Sequence, residues 1–141
     1  FELEYIGEDN KPHRPVVIHR GVISTMERIV AFLIERYAGA FPLWLAPVQA
    51  VVLPIADRHA GYGEKVTERL KAAGFRANLD SRNEKTGCKI RTAQLQKIPY
   101  MLIVGDREAE SESVSIRSRD EGDLGAKPLS EFIAENQDRL T

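Results

Sequence analysis

The chain has 141 residues, 43% of them hydrophobic, with 20 basic and 21 acidic side chains and a formal net charge of -1. That is enough for one ordinary core, or one domain with a short appendage, and it excludes a binder that coats nucleic acid by bulk charge. The single cysteine, Cys88, excludes an intrachain disulfide and fits a reducing, cytoplasmic setting, and no apolar run approaches the ~20 residues of a membrane span, so no membrane partner is expected.

Phe1 to Ile6 alternates apolar and acidic residues, the pattern of a half-buried strand. After the polar stretch Gly7–His13, Pro15 to Ile18 forms a second apolar run, so the two are expected to pair as a hairpin with a long loop. The start lacks a basic segment and an apolar core, so it is no signal peptide, and it reads as a cut from a larger protein. These strands are expected to be covered by another molecule or poorly ordered.

Met26, Ile29, Val30, Leu33, Ile34 and Tyr37 recur at helical spacing, with Ser24 or Thr25 as the cap and Gly39 and Pro42 as the stop. So wide an apolar stripe predicts a helix lying on a sheet or on another helix. Leu43–Pro47 is an apolar connector. Val48 to Leu53 is nearly all apolar, as in a strand buried on both faces, and a helix follows with Tyr62, Val66, Leu70 and Ala73 inward and Gly74 at its end. Phe75 to Leu79 is the next strand, so this is a β-α-β unit with parallel pairing. His59, just past the first strand, reads as a loop residue.

From Ser81 to Lys97 there are five basic residues (Arg82, Lys85, Lys89, Arg91, Lys97) against one acidic, Glu84. A basic loop and helix, opening where a buried strand stops, suit a polyanion; the alternative is a solvated helix face. The helix is expected from about Gly87 to Lys97, then a strand from Pro99 to Val104, a turn at Gly105-Asp106, and a weaker edge strand from Val114 to Ser118. Ser118 to Lys127 reads as a loop, and Pro128 to about Leu140 as a last helix with Leu129, Phe132, Ile133 and Leu140 inward. The fold class is α/β: a mixed, mostly parallel sheet of about five strands with helices on both faces, preceded by a β-hairpin and helix.

The ordered words HRG, MER, AFPLWLAPVQ, RNEK and PYMLIVGD resemble those of bacterial threonyl-tRNA synthetases along essentially the whole chain. The resemblance implies that residues 1–42 are the end of a class II catalytic domain, including its motif 3, and that residues 43–141 are an anticodon-binding domain. It implies a parent enzyme, a threonine–tRNA ligase, that is a homodimer and uses zinc and Mg-ATP. His19 falls on one of three protein ligands of the catalytic zinc. The other two lie upstream in the family and are absent here, so no cofactor is expected on this chain. Arg28 falls on the motif 3 arginine that contacts ATP phosphate. Ser24-Thr25 stands where glycine-serine is frequent. The chain alone is expected not to form threonyl-adenylate.

The partner implied is the anticodon loop of tRNA(Thr), not DNA. Specific RNA recognition targets splayed single-stranded bases, through cations for phosphates and amide or carboxylate groups for base edges. By the resemblance Asn83, Lys97, Glu108 and Arg117 are the anticodon contacts, with Lys97 where arginine is common. Arg82, Lys85 and Arg91 are candidates for backbone contacts. Two other readings stand beside this one: a flavodoxin-like nucleotide-binding domain, for which Gly61-Tyr62-Gly63 is only a partial glycine pattern, and a synthetase paralogue without catalysis.

Overall fold

The computed structural model describes residues 2–21 and 25–140. The chain divides into two compact units, Phe1–Phe32 and Leu33–Thr141.

In the first unit, β1 (Tyr5–Ile6) pairs antiparallel with β2 (Pro12–His13), Tyr5 opposite His13. The partner strand is therefore not Pro15–Ile18. The chain closes sooner, because Asn10 adopts a left-handed φ of 55° and Gly7 and Lys11 exchange a 3.0 Å backbone bond across the turn. The Asp9 carboxylate holds that turn by accepting from the Lys11 amide at 3.2 Å and bonding His13 Nε2 at 2.8 Å. Val16, Val17 and Ile18 are exposed and outside any strand. The expectation for Phe1, and that of Ser24 as a cap, lie outside the described residues.

α1 (Met26–Tyr37) begins in this unit and ends in the second. None of its residues is fully buried: Met26, Val30, Phe32 and Ile34 are exposed, and Ile29, Leu33 and Tyr37 half-buried. The helix stops at Ala38, one residue before the expected glycine. Ala38 is left-handed (φ 48°), its amide donates to Glu35, and the Gly39 amide donates to Ile34 at 3.2 Å. That is a Schellman end with alanine in the glycine position.

The second unit is built on a five-stranded sheet of β3 (Ala50–Pro54), β4 (Ala77–Leu79), β5 (Tyr100–Val104), β6 (Ser113–Ser118) and β7 (Gly122–Pro128), in the order β4-β3-β5-β6-β7. β3 runs parallel to β4 and β5, while β5–β6 and β6–β7 are antiparallel. β6 is thus interior and not at the edge. The edge strands are β4 and β7, and β7 lies in the stretch expected to be a loop. Its glycines and charges hide it, since backbone pairing with β6 holds it and not an apolar face.

A short 3-10 turn (Asp57–His59) leads into α2 (Ala60–Ala72). α2 and α5 (Leu129–Asn136) cover one face of the sheet. There Val66, Leu70, Leu129 and Phe132 bury Val52, Leu102, Val104, Val114 and Ile116, with the rings of Phe75 and Tyr100 5.8 and 5.1 Å from that of Phe132. Each large apolar side chain so buried stabilises by about 1.5–3 kcal/mol. α3 (Thr86–Leu95) covers Val51, Leu53 and Met101 on the other face with Ala93, helped by Ile98 and half-buried Ile90. Helices therefore lie on both faces.

The turn at Gly105 opens α4 (Asp106–Glu110), which the sequence does not announce. Gly61-Tyr62-Gly63 lies inside α2 and is no phosphate loop. Gly63 is needed for close packing, because a Cβ there would meet Leu79 at 2.9 Å and Pro54 at 3.0 Å.

Candidate nucleic-acid interface

β3, β4 and β5 are parallel, so the segments leaving their C-terminal ends gather at one end of the sheet. The loop from Asp80 to Lys85 is one of them. Its shape comes from Asp80, whose carboxylate accepts the Arg82 amide at 3.2 Å, Nε at 2.9 Å and Nη2 at 2.7 Å. Arg82 also reaches Glu84 at 3.1 Å. The guanidinium holds the Asp80 carboxyl below the usual carboxylate range. Arg82 is thus an internal brace of the loop with most of its charge answered. Asn83 and Lys85 are exposed, and among the described residues their side chains make no hydrogen bond or ion pair.

Lys89, counted above with the basic surface, is not on the surface. It is 4% exposed, and its ammonium donates to the carbonyls of Pro54 at 3.0 Å and Asp80 at 3.2 Å. It ties the end of β3 to the start of the loop. Arg91 is exposed. Thr92 and Gln96 line a groove of about 450 Å³ between α3 and β4, together with Asn78, Asp80 and Arg82. At ~100° per residue from buried Lys89 and Ala93, Arg91 sits on the outer face of α3, away from the sheet.

Arg117 is on the same face as α3, because it pairs with Met101, which packs under that helix. It is half-buried, and its Nε is buried with no hydrogen-bond partner among the described residues. Glu108 lies in α4, past the C-terminal end of β5, and its Oε2 accepts the Gly105 amide at 2.9 Å, which caps that helix.

Lys97 is elsewhere. It follows α3, whose ten residues span about 15 Å at roughly 1.5 Å each, and so it lies near the N-terminal ends of the parallel strands. Its ammonium donates to the carbonyl of Ala38. The four residues grouped by resemblance are thus not gathered at one end. Asn83 and Glu108 share the C-terminal end of the sheet, while Arg117, opposite the second residue of β5, and Lys97, three residues before that strand, lie toward its N-terminal end.

One cluster at the C-terminal end was missed. His59 is buried, its Nδ1 accepts the Ala56 amide at 3.2 Å, and its Nε2 donates to Asp106 at 2.8 Å. Arg58 grips the same carboxylate at 2.6 and 3.0 Å. Arg58, then His59, holds the Asp106 carboxyl far below its usual range. The signal was available: both segments follow strands that a parallel sheet sets side by side.

In the first unit, His19 and Arg28 are exposed. No group of three His, Cys, Asp or Glu side chains able to hold a metal occurs among the described residues, so the donors present here do not by themselves fit a zinc ion. No helix of the described residues is long and apolar enough to cross a membrane.

Residues 49–139 match the anticodon binding domain family. The chain is 58% identical over 135 residues to a threonine–tRNA ligase of Natranaerobius thermophilus, covering 96% of this chain and 21% of that protein. It is 59% identical over 133 residues to one of Acidobacterium capsulatum, covering 94% and 20%. The chain thus spans about a fifth of the length of these relatives. Among solved structures, the RNA binding domain of threonyl-tRNA synthetase from Cryptosporidium parvum Iowa II superposes with a TM-score of 0.80 at 33% identity, covering 97% of this chain and 35% of that one. Prolyl-tRNA synthetase from Cryptosporidium parvum superposes with a TM-score of 0.61 at 28% identity over 71% of this chain and 23% of that one. With the matching segment running from the strand β3 to the end of the last helix, the chain belongs to the family of anticodon-binding domains.

Proposed function

We propose that this chain is the anticodon-recognising C-terminal part of a threonine–tRNA ligase. The observation that carries the reading is the 58% identity to such a ligase over 96% of this chain. In this reading residues 43–141 bind tRNA(Thr), and residues 1–42 are the end of a catalytic domain whose ATP and zinc chemistry needs residues outside this chain. Within the parent, a cytoplasmic homodimer, Arg28 contacts ATP phosphate and His19 supplies one of three zinc ligands.

The physics of the RNA site follows from which groups are unoccupied. The Asn83 amide offers a donor and an acceptor to one base edge. It stands on a loop braced by Asp80–Arg82 and by Lys89, so little order is lost on binding. Arg117 on the sheet, Arg91 on the outer face of α3 and Lys85 at its start are the cations for phosphate. Glu108 uses one carboxylate oxygen within α4 and has the other for a base amino group. Arg82 acts through the loop. Lys97 is not in this set.

The test is a titration of the chain with the tRNA(Thr) anticodon stem-loop at fixed salt. Asn83→Ala weakens binding by about 1–3 kcal/mol, the scale of a lost base contact. Equal affinity of the variant and the parent chain refutes the assignment.

A further inference from the structure

Lys97 occupies a position where lysine is costly. It is the second residue past α3, just after the cap Gln96, with its amide bonded to Gln94 at 3.0 Å and the next amide, of Ile98, bonded to Ala93 at 3.1 Å, and its φ is 56°. This is the Schellman position that glycine fills without steric cost, as Gly74 does at the end of α2 (φ 91°). The lysine side chain there has a partner. Its ammonium donates to the carbonyl of Ala38, the residue just past α1, where the helix dipole is negative. Its stem lies over Gly39, where a Cβ would come 3.6 Å from the lysine Cδ.

Arg119 grips the same segment. One nitrogen, Nη1, donates to the carbonyls of Phe41 at 2.9 Å and Lys97 at 3.1 Å, while Asp120 holds Nε and Nη2 at 2.9 Å each. Ala38, Phe41, Lys97 and Arg119 all belong to the second unit.

We propose that Lys97 and Arg119 are positioning residues that clamp the segment from Ala38 to Phe41, so that the end of α1 and the RNA-reading sheet move as one body. The Lys97 ammonium and Nη1 of Arg119 donate to backbone carbonyls of this segment. The consequence for a ligase rests on the function proposed above: within the second unit, the clamp keeps the last turn of α1 in place on the anticodon-binding sheet.

The test compares Lys97→Met, Lys97→Arg and Arg119→Gln with the parent chain. Amide hydrogen exchange is read at Gly39 and Ala40, with Val52 and Leu102 reporting whether the sheet stays intact. Lys97→Met and Arg119→Gln speed exchange at Gly39 and Ala40 at least tenfold, and Lys97→Arg restores protection to within threefold. Anticodon stem-loop affinity of Lys97→Met stays within twofold. In a full-length threonine–tRNA ligase carrying this segment, Lys97→Met lowers kcat/KM for tRNA charging and leaves threonine-dependent pyrophosphate exchange unchanged. Unchanged exchange at Gly39 and Ala40 in both variants overturns the clamp. So does a fivefold or greater loss of RNA affinity in Lys97→Met with protection intact, which makes Lys97 an RNA contact. If the parent chain binds no stem-loop, the proposed function falls, and the exchange data still decide the clamp.

Discussion

Replacing Lys89 by methionine separates a buried brace from a surface cation. Methionine keeps most of the aliphatic stem and removes the ammonium. Two charge-assisted bonds are lost, at 3.0 Å to Pro54 and 3.2 Å to Asp80. Each is worth about 1.5–3 kcal/mol, so the gross loss is about 3–6 kcal/mol. Against it stands the desolvation of a 4% exposed side chain, a penalty of several kcal/mol that the neutral variant no longer carries. The two carbonyls are left without that donor. The net expectation is a loss of about 2 kcal/mol, or roughly 8 °C in Tm for a domain of this size. Lys85→Met, at an exposed position four residues earlier, is expected to stay within about 0.5 kcal/mol. Urea unfolding followed by far-UV circular dichroism, at equal m-values, measures both. Equal midpoints for the two variants would refute the buried brace and return Lys89 to the polyanion-binding surface.

Three further expectations concern the scaffold. Gly61→Ala is expected to raise stability by about 0.5–1 kcal/mol, since it is helical and its Cβ would meet nothing within 4 Å, whereas Gly63→Ala lowers stability by forcing Leu79 and Pro54 apart; thermal denaturation giving both shifts the same sign contradicts the packing described. Ala38→Gly is expected to stabilise by about 0.5–1 kcal/mol, because it relieves a left-handed alanine at φ 48°, and a lower Tm would sink that account. The folded Asp106 carboxyl is held low by Arg58 and His59, so its contribution is complete above the unfolded value near pH 4 and is lost as pH falls through the folded one. The Tm deficit of Asp106→Asn should therefore be full at pH 7 and shrink as pH drops well below 4. A deficit constant from pH 7 to 2 would exclude a role for the charge.

Local chemistry decided much of this protein in advance. The runs Val48–Leu53 and Pro99–Val104 are apolar throughout, and only strands covered on both faces can use such runs, so parallel β3 and β5 with helices on either side were legible. The same reading put the Arg82–Lys85 loop after a parallel strand, where α/β sheets bind ligands. Gly74 marked the end of α2 because its left-handed φ of 91° is what glycine permits.

What the linear pattern could not carry was any feature whose cause lies far along the chain. β7 exists because β6 offers it a ladder of backbone partners, and its own Gly122 and Gly125 carry no apolar period. Lys89 looks like any helix cation until Pro54, 35 residues away, brings a carbonyl to it. Lys97 and Ala38 are 59 residues apart, and Asp106 and His59 are 47 apart. A charge near a helix names no partner in the sequence. Whether it faces solvent, RNA or a buried carbonyl depends on which strand ends the sheet sets beside it, and strand order is settled only when the chain folds.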